Sequence, residues 1–184
     1  MKKGFTLIEL IVVMAIIAIL AGVIASSVGS SDKTNQATGP ALAVAQTTEV
    51  TLPEATNYAV DTAGVLTPEQ LASLNTQLKA LDDGKRQLAV LITNSTQPLS
   101  IEEYGIKLGD KWKVGYKGTD EGAIIIIAVK DRKARIEVGH GLEGDLTDSQ
   151  AGTILREQMV PLLSKGDWYN AVMAGINGIE AKIK

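Results

Sequence analysis

The chain has 184 residues and a formal net charge of −3, a balance that argues against nucleic acid as a partner because phosphate binding wants a basic face. It has no cysteine, which removes disulfides, thiol nucleophiles and cysteine zinc sites together; a domain of ordinary size can still bury a core without them.

The first element is an apolar run. From Phe5 to Ala25 the residues are apolar or small except for Glu9, and this is about the ~20 residues that an α-helix needs to cross a bilayer core. Glu9 opposes insertion by roughly 2.5–3.5 kcal/mol. Ten aliphatic residues from Leu10 to Ile24 favour it by about 4.5 kcal/mol in sum, so a membrane helix is expected over residues 5–28. Lys2 and Lys3 precede it, and short basic flanks stay cytoplasmic, so the rest of the chain is expected outside the cytoplasm. A secretory signal peptide cut after Val23-Ile24-Ala25 would share the basic start and apolar core, although such cores run about 7–15 residues, and a plain membrane anchor explains the length. Both leave Glu9 without a purpose.

Lys2-Lys3-Gly4-Phe5-Thr6-Leu7-Ile8-Glu9 resembles the class III signal of type IV pilins and pseudopilins. The resemblance implies that a prepilin peptidase removes a leader of residues 1–4 by cutting after Gly4, that Phe5 becomes the methylated N-terminal residue, and that Glu9 serves assembly. A buried carboxylate is tolerated when it is paired, and in a filament the amino terminus of a neighbouring subunit can supply the pair. The implied partners are other copies of the chain, joined through the N-terminal helix, the peptidase, and the membrane before assembly.

Residues 29–56 read as a linker, with Gly29, Gly39, Pro40 and Pro53 punctuating Ser, Thr, Ala and Gln. Pilins usually continue their first helix past the membrane, and this chain departs from that pattern. From residue 57 to residue 184 helical and strand patterns alternate. Thr67-Pro68-Glu69-Gln70 starts a helix with a capping Thr, a first-position Pro and a Gln three residues after the cap. Leu71, Leu74, Leu78 and Leu81 stripe one face of it, and Gly84 closes it. Gln87–Ile92 reads as a buried strand. Ser100 and Glu103 form a second capping box, for a helix reaching Trp112.

Ala123–Val129 is apolar and β-branched throughout, as expected of a central strand covered on both faces. A hairpin leads from it into Arg135–Val138. Thr147 caps a third helix reaching about Leu163, and Trp168 opens a fourth with Val172, Gly175, Ile176, Ile179 and Ile183 inward. The expected fold class is therefore α/β: a membrane helix, a linker, and a sheet sandwiched between helices. No internal repeat is visible.

Gly139-His140-Gly141-Leu142-Glu143-Gly144 matches the glycine pattern of dinucleotide sites. It arrives after a hairpin near the end of the domain, no acidic ribose-binding strand follows, and Glu143 would face a pyrophosphate. The same residues, running from Arg135 to Asp148, resemble the TPM domain, as do Val60–Leu66, Ser100–Tyr104 and Lys117–Gly122. That resemblance covers residues 57–184 and implies an α-β-α sandwich in an exported or anchored protein. The family has been linked to acid phosphatase activity, divalent cation binding, photosystem repair and receptor modulation, so it does not select one function. His140 stands where the family more often has tyrosine, and a lone histidine in a glycine turn reads as structural.

Asp61, Asp120, Glu121, Glu143, Asp145 and Asp148 supply enough hard oxygens for a calcium-like ion where they converge. Against this, acids on loops also order turns or charge a helix N-terminus. The sequence has no Cys-x5-Arg, no Asp-x-Asp pair and one histidine, so it leans away from an enzyme. The expected function is a pilin-like structural subunit of an extracellular or envelope filament, displaying a TPM-like head with calcium as its candidate ion. The alternative is a membrane-anchored TPM-family acid phosphatase or metal-dependent regulator. The sequence does not choose between a pilus and a secretion pseudopilus.

Overall fold

The computed structural model describes residues 50–183. The expected leader, membrane helix and first part of the linker, with Gly4, Phe5 and Glu9, lie outside the described residues. A four-stranded sheet runs in the order β1 (Ala59–Asp61), β2 (Gln87–Thr93), β3 (Gly122–Ala128), β4 (Lys133–Val138). β1, β2 and β3 are parallel, and β4 returns antiparallel to β3 through the expected hairpin. Every residue of β3, Gly-Ala-Ile-Ile-Ile-Ile-Ala, is buried. A strand with apolar residues at both parities can only sit between two covered faces.

Each face has its own core. Leu88, Val90 and Ile92 point from β2 to one face, where α1 (Pro68–Leu81), α3 (Asp148–Ile154) and α5 (Trp168–Ile183) pack. Ala89 and Leu91 point to the other, which is covered by α2 (Ile101–Trp112) through Ile101, Tyr104 and Leu108. The helices begin where their caps dictate. Thr67, Ser100 and Thr147 each accept the backbone N–H three residues on, and Gln70, Glu103 and Gln150 each reach back to the cap's own N–H, so orphan donors of the first turn are satisfied from both sides.

The crossovers β1-α1-β2 and β2-α2-β3 step across the sheet in the same direction yet place their helices on opposite faces. They therefore have opposite hands, and one departs from the right-handed rule that about 98% of such connections obey.

The third helix differs from its expected course. After Ile154 it widens to a π-helical turn over Leu155–Met159 before α4 (Val160–Leu163) resumes. Pro161 lies inside this stretch; it lacks an N–H and crowds the carbonyl one turn back, and an inserted residue in the ladder accommodates both. The turn delivers Met159 into the core, fully buried. There Gly175 of α5 is open enough for the Met159 sulfur to sit 2.7 Å from where a Cβ would stand.

The end of the expected linker is attached to the head. Lys111 Nζ donates to the Leu52 carbonyl (2.6 Å) and pairs with Glu54 (2.7 Å), and Trp112 Nε1 donates to the Pro53 carbonyl (2.9 Å). Val50 and Leu52 pack against the α2-side core, which a lone helix does not fully cover.

Candidate functional site

The register of the sheet sorts the six acidic candidates into two groups. Gln87 pairs with Gly122, and Ala123 with Val138, so the start of β3 and the end of β4 share one end of the sheet. Asp120 and Glu121 immediately precede β3 there, while Glu143, Asp145 and Asp148 follow β4 beyond a 3-10 turn at His140–Leu142. Asp61 aligns with Ile92 and through it with Ile127, five residues along β3 from Gly122, which is about 16 Å at ~3.3 Å per residue. Asp61 thus belongs to the opposite end. Its carboxylate accepts the N–H groups of Ala63 (2.9 Å), Gly64 (2.8 Å) and Leu66 (2.8 Å), and so builds the turn into α1.

Among the described residues no three histidine or acidic side chains stand together in a group able to hold a metal ion. As placed, the five acids of the loop end do not fit a resident calcium. Asp148 is the first residue of α3, where a carboxylate complements the helix dipole.

The glycine pattern of residues 139–144 has a different use from phosphate binding. A Cβ on Gly139 would collide with the Asp120 carbonyl, and one on Gly141 with the Thr119 carbonyl. The two strips of backbone cross in direct contact, with the Gly139 N–H donating to Gly122 O (2.7 Å) and the Gly141 N–H to Asp120 O (3.2 Å). The space that a pyrophosphate would need is filled by residues 119–122, and the segment opens a three-residue 3-10 turn rather than a helix. His140 is exposed at the start of that turn.

The loop that is crossed, residues 113–121, carries left-handed backbone at Lys113 (φ 51°), Gly115 (φ 104°), Gly118 (φ 95°) and Asp120 (φ 51°). Such conformations persist when their surroundings over-determine them. Here the anchor is Asp82, just past α1. Its carboxylate accepts Tyr116 Oη (2.6 Å), Tyr58 Oη (2.9 Å), the Gly84 N–H (3.0 Å) and Gln87 Nε2 (3.2 Å), and Gln87 Oε1 takes the Gly115 N–H (3.1 Å). Burial works to raise the Asp82 carboxyl, and the hydrogen bonds, led by that from Tyr116, outweigh it and hold it below its ordinary value. The same bond, with burial and the Asp82 charge adding to it, pushes the Tyr116 phenol up to about 12. At the opposite end Asp131 ties the β3–β4 hairpin to the β2–α2 loop, accepting Ser95 Oγ (2.7 Å) and the Thr96 N–H (2.8 Å).

The TPM domain matches residues 59–182, which is more than half of the chain. The chain belongs to the TPM domain family. A second match, the prokaryotic N-terminal methylation motif, covers residues 1–25. Among solved structures the TPM domain is similar to the N-terminal domain of a protein from P. gingivalis, at 26% identity and a TM-score of 0.62, over 69% of this chain and 82% of that one. The N-terminal domain of the cg2496 protein from Corynebacterium glutamicum shares the fold at 14% identity and a TM-score of 0.55, over 70% and 81%. So does the BA42 protein from Bizionia argentinensis at 16% and 0.56, over 64% and 81%. No curated protein matches the chain.

Asp82 and Asp131 hold the TPM domain's loops, yet neither stands out in the sequence. The two tyrosine partners of Asp82 lie 24 and 34 residues away, and the partners of Asp131 lie 35 and 36 residues away. The one local signal is the Asp82-Asp83-Gly84 turn, which marks a helix end and gives no hint of two tyrosines.

Proposed function

We propose that this protein is a type IV pilin-like structural subunit that displays its TPM head on an extracellular or envelope filament. The observation that carries the reading is the presence, in one chain, of a methylation motif at residues 1–25 and a TPM domain at residues 59–182. The motif implies prepilin peptidase processing and pilin assembly in general. In this reading Gly4 is the cleavage residue, Phe5 the methylated terminus and Glu9 the docking group. The head encloses two cores of its own, which suits a unit carried outward by an N-terminal stem.

Processing tests the reading directly. The intact mass of the membrane-derived protein should correspond to a chain beginning at Phe5 and carrying one methyl group. A chain beginning at Ser26 would make residues 1–25 an ordinary signal peptide and remove the filament.

The alternative is an anchored acid phosphatase or metal-dependent regulator. Calcium is the part of it that a melting curve decides. The five acids of the loop end form no ligand set as placed, so millimolar calcium should leave the melting temperature unchanged. A rise of several degrees, the size expected of about hundredfold excess over Kd, lost in Asp120→Asn and Glu143→Gln, would mean that the loops draw together around an ion.

A further inference from the structure

A cleft of about 440 Å³ opens on the α2 side of the sheet at the C-terminal ends of β1 and β2. This is within the ~300–1,000 Å³ range of small-molecule sites, and the outer ends of parallel strands are where open α/β sheets take ligands. Its floor is Thr62 and Thr93; one wall is the attached segment 50–53, and the other is formed by Ser95, Gln97 and Pro98.

Two lining side chains are buried with unused polar groups. Tyr104 is 3% exposed and Thr93 is 9% exposed. Neither hydroxyl has a hydrogen-bond partner among the described residues, and neither is sealed away from the cleft. Burial pushes the Tyr104 phenol up, so it keeps its proton and stays a donor. Thr62 and Ser95 have given their protons to Ile92 O and Asp131; Ser95 Oγ also accepts the Gln97 N–H (3.1 Å), and each hydroxyl oxygen keeps a lone pair to offer. The cleft thus presents donors and acceptors side by side, next to the carbon faces of Leu52, Pro53 and Pro98.

No charged residue lines it. An anion or cation would give up its hydration here for no counter-charge, and a wholly apolar ligand would leave the Tyr104 and Thr93 hydroxyls unpaired. A peptide is usually recognised through a ladder of backbone groups, whereas this lining offers side-chain hydroxyls. We propose that the cleft binds an uncharged saccharide, whose hydroxyls meet Tyr104, Thr93, Thr62 and Ser95 while its C–H face lies on the prolines. The proposal does not depend on the filament reading.

Saturation-transfer NMR tests it on the full-length chain, held in a detergent without a sugar headgroup. The probes are maltose, N-acetylglucosamine, glucose 6-phosphate and an uncharged tetrapeptide, each at millimolar concentration. Transfer is expected to at least one of the two neutral sugars and not to the phosphate. Tyr104→Phe and Thr93→Val should each weaken binding about tenfold, the size of one lost hydrogen bond. Neither should lower the melting temperature, because neither hydroxyl bonds to the protein. The proposal is overturned by silence from both neutral sugars, by transfer to the peptide alone, by transfer undiminished in both variants, or by a lower melting temperature in Tyr104→Phe, which would make its hydroxyl a structural group.

Discussion

Gly141→Ala should destabilise the head by about 3 kcal/mol, at the upper end of overpacking costs, and lower its melting temperature by roughly 10 °C. The argument is steric. The added Cβ would run into the Thr119 carbonyl and stand 2.9 Å from the Asp120 carbonyl carbon and from Glu121 Cγ. The first two obstacles are backbone, and that backbone cannot retreat cheaply. Residues 113–121 are held by left-handed positions and by the Tyr116–Asp82 bond, and Gly122 continues directly into the buried central strand.

Gly144→Ala is the matched control, because a Cβ there meets nothing within 4 Å. It should change stability by less than about 0.5 kcal/mol, as exposed substitutions do. Thermal unfolding followed by circular dichroism distinguishes the pair. Equal melting of the two variants would show that the strips at residues 119–122 and 139–141 do not press on each other.

These glycines also mark the limit of what the sequence disclosed. A strand followed by Gly-x-Gly-x-x-Gly is what a phosphate cradle looks like in one dimension, because in both cases the glycines admit a close approach. The pattern does not say what approaches, and here it is a peptide carbonyl from about twenty residues upstream. Elements specified by neighbours in sequence were legible. Thr67, Ser100 and Thr147 start their helices within a four-residue signal, and the isoleucine run of β3 can only be buried.

Elements specified from a distance were not. β1 is three residues long, too short to show a period of two, and is a strand because Tyr58 and Ala59–Asp61 find β2 beside them. Residues 50–56 read as linker from their composition, and what binds them to the head is distant in sequence: Lys111, Trp112 and the α2-side core under Val50 and Leu52. By residue type Asp61 belongs with five other acids, and the parallel register of β1 places it at the far end of the sheet from them.

Glu9→Val should leave more protein in the membrane and less in filaments. These opposed signs separate the pilin reading from an anchor. On insertion alone the exchange is favourable, since it removes a cost of roughly 2.5–3.5 kcal/mol and adds an aliphatic residue. If Glu9 only burdened an anchor, the variant would be an improvement by every measure. In a filament the carboxylate has a partner, the amino terminus that cleavage after Gly4 creates on Phe5 of a neighbouring subunit. Losing one member of a buried charge pair leaves the other uncompensated at about 3–5 kcal/mol. With every 1.4 kcal/mol worth tenfold in an equilibrium constant, subunit docking should weaken at least a hundredfold. Sheared surface material from cells carrying the variant should then hold little of the chain, while the membrane fraction holds the processed form beginning at Phe5. Filaments as abundant as the parent's would remove the pairing argument. Glu9 would then be a tolerated acid in an anchor, and the TPM head a domain held at the membrane rather than carried outward.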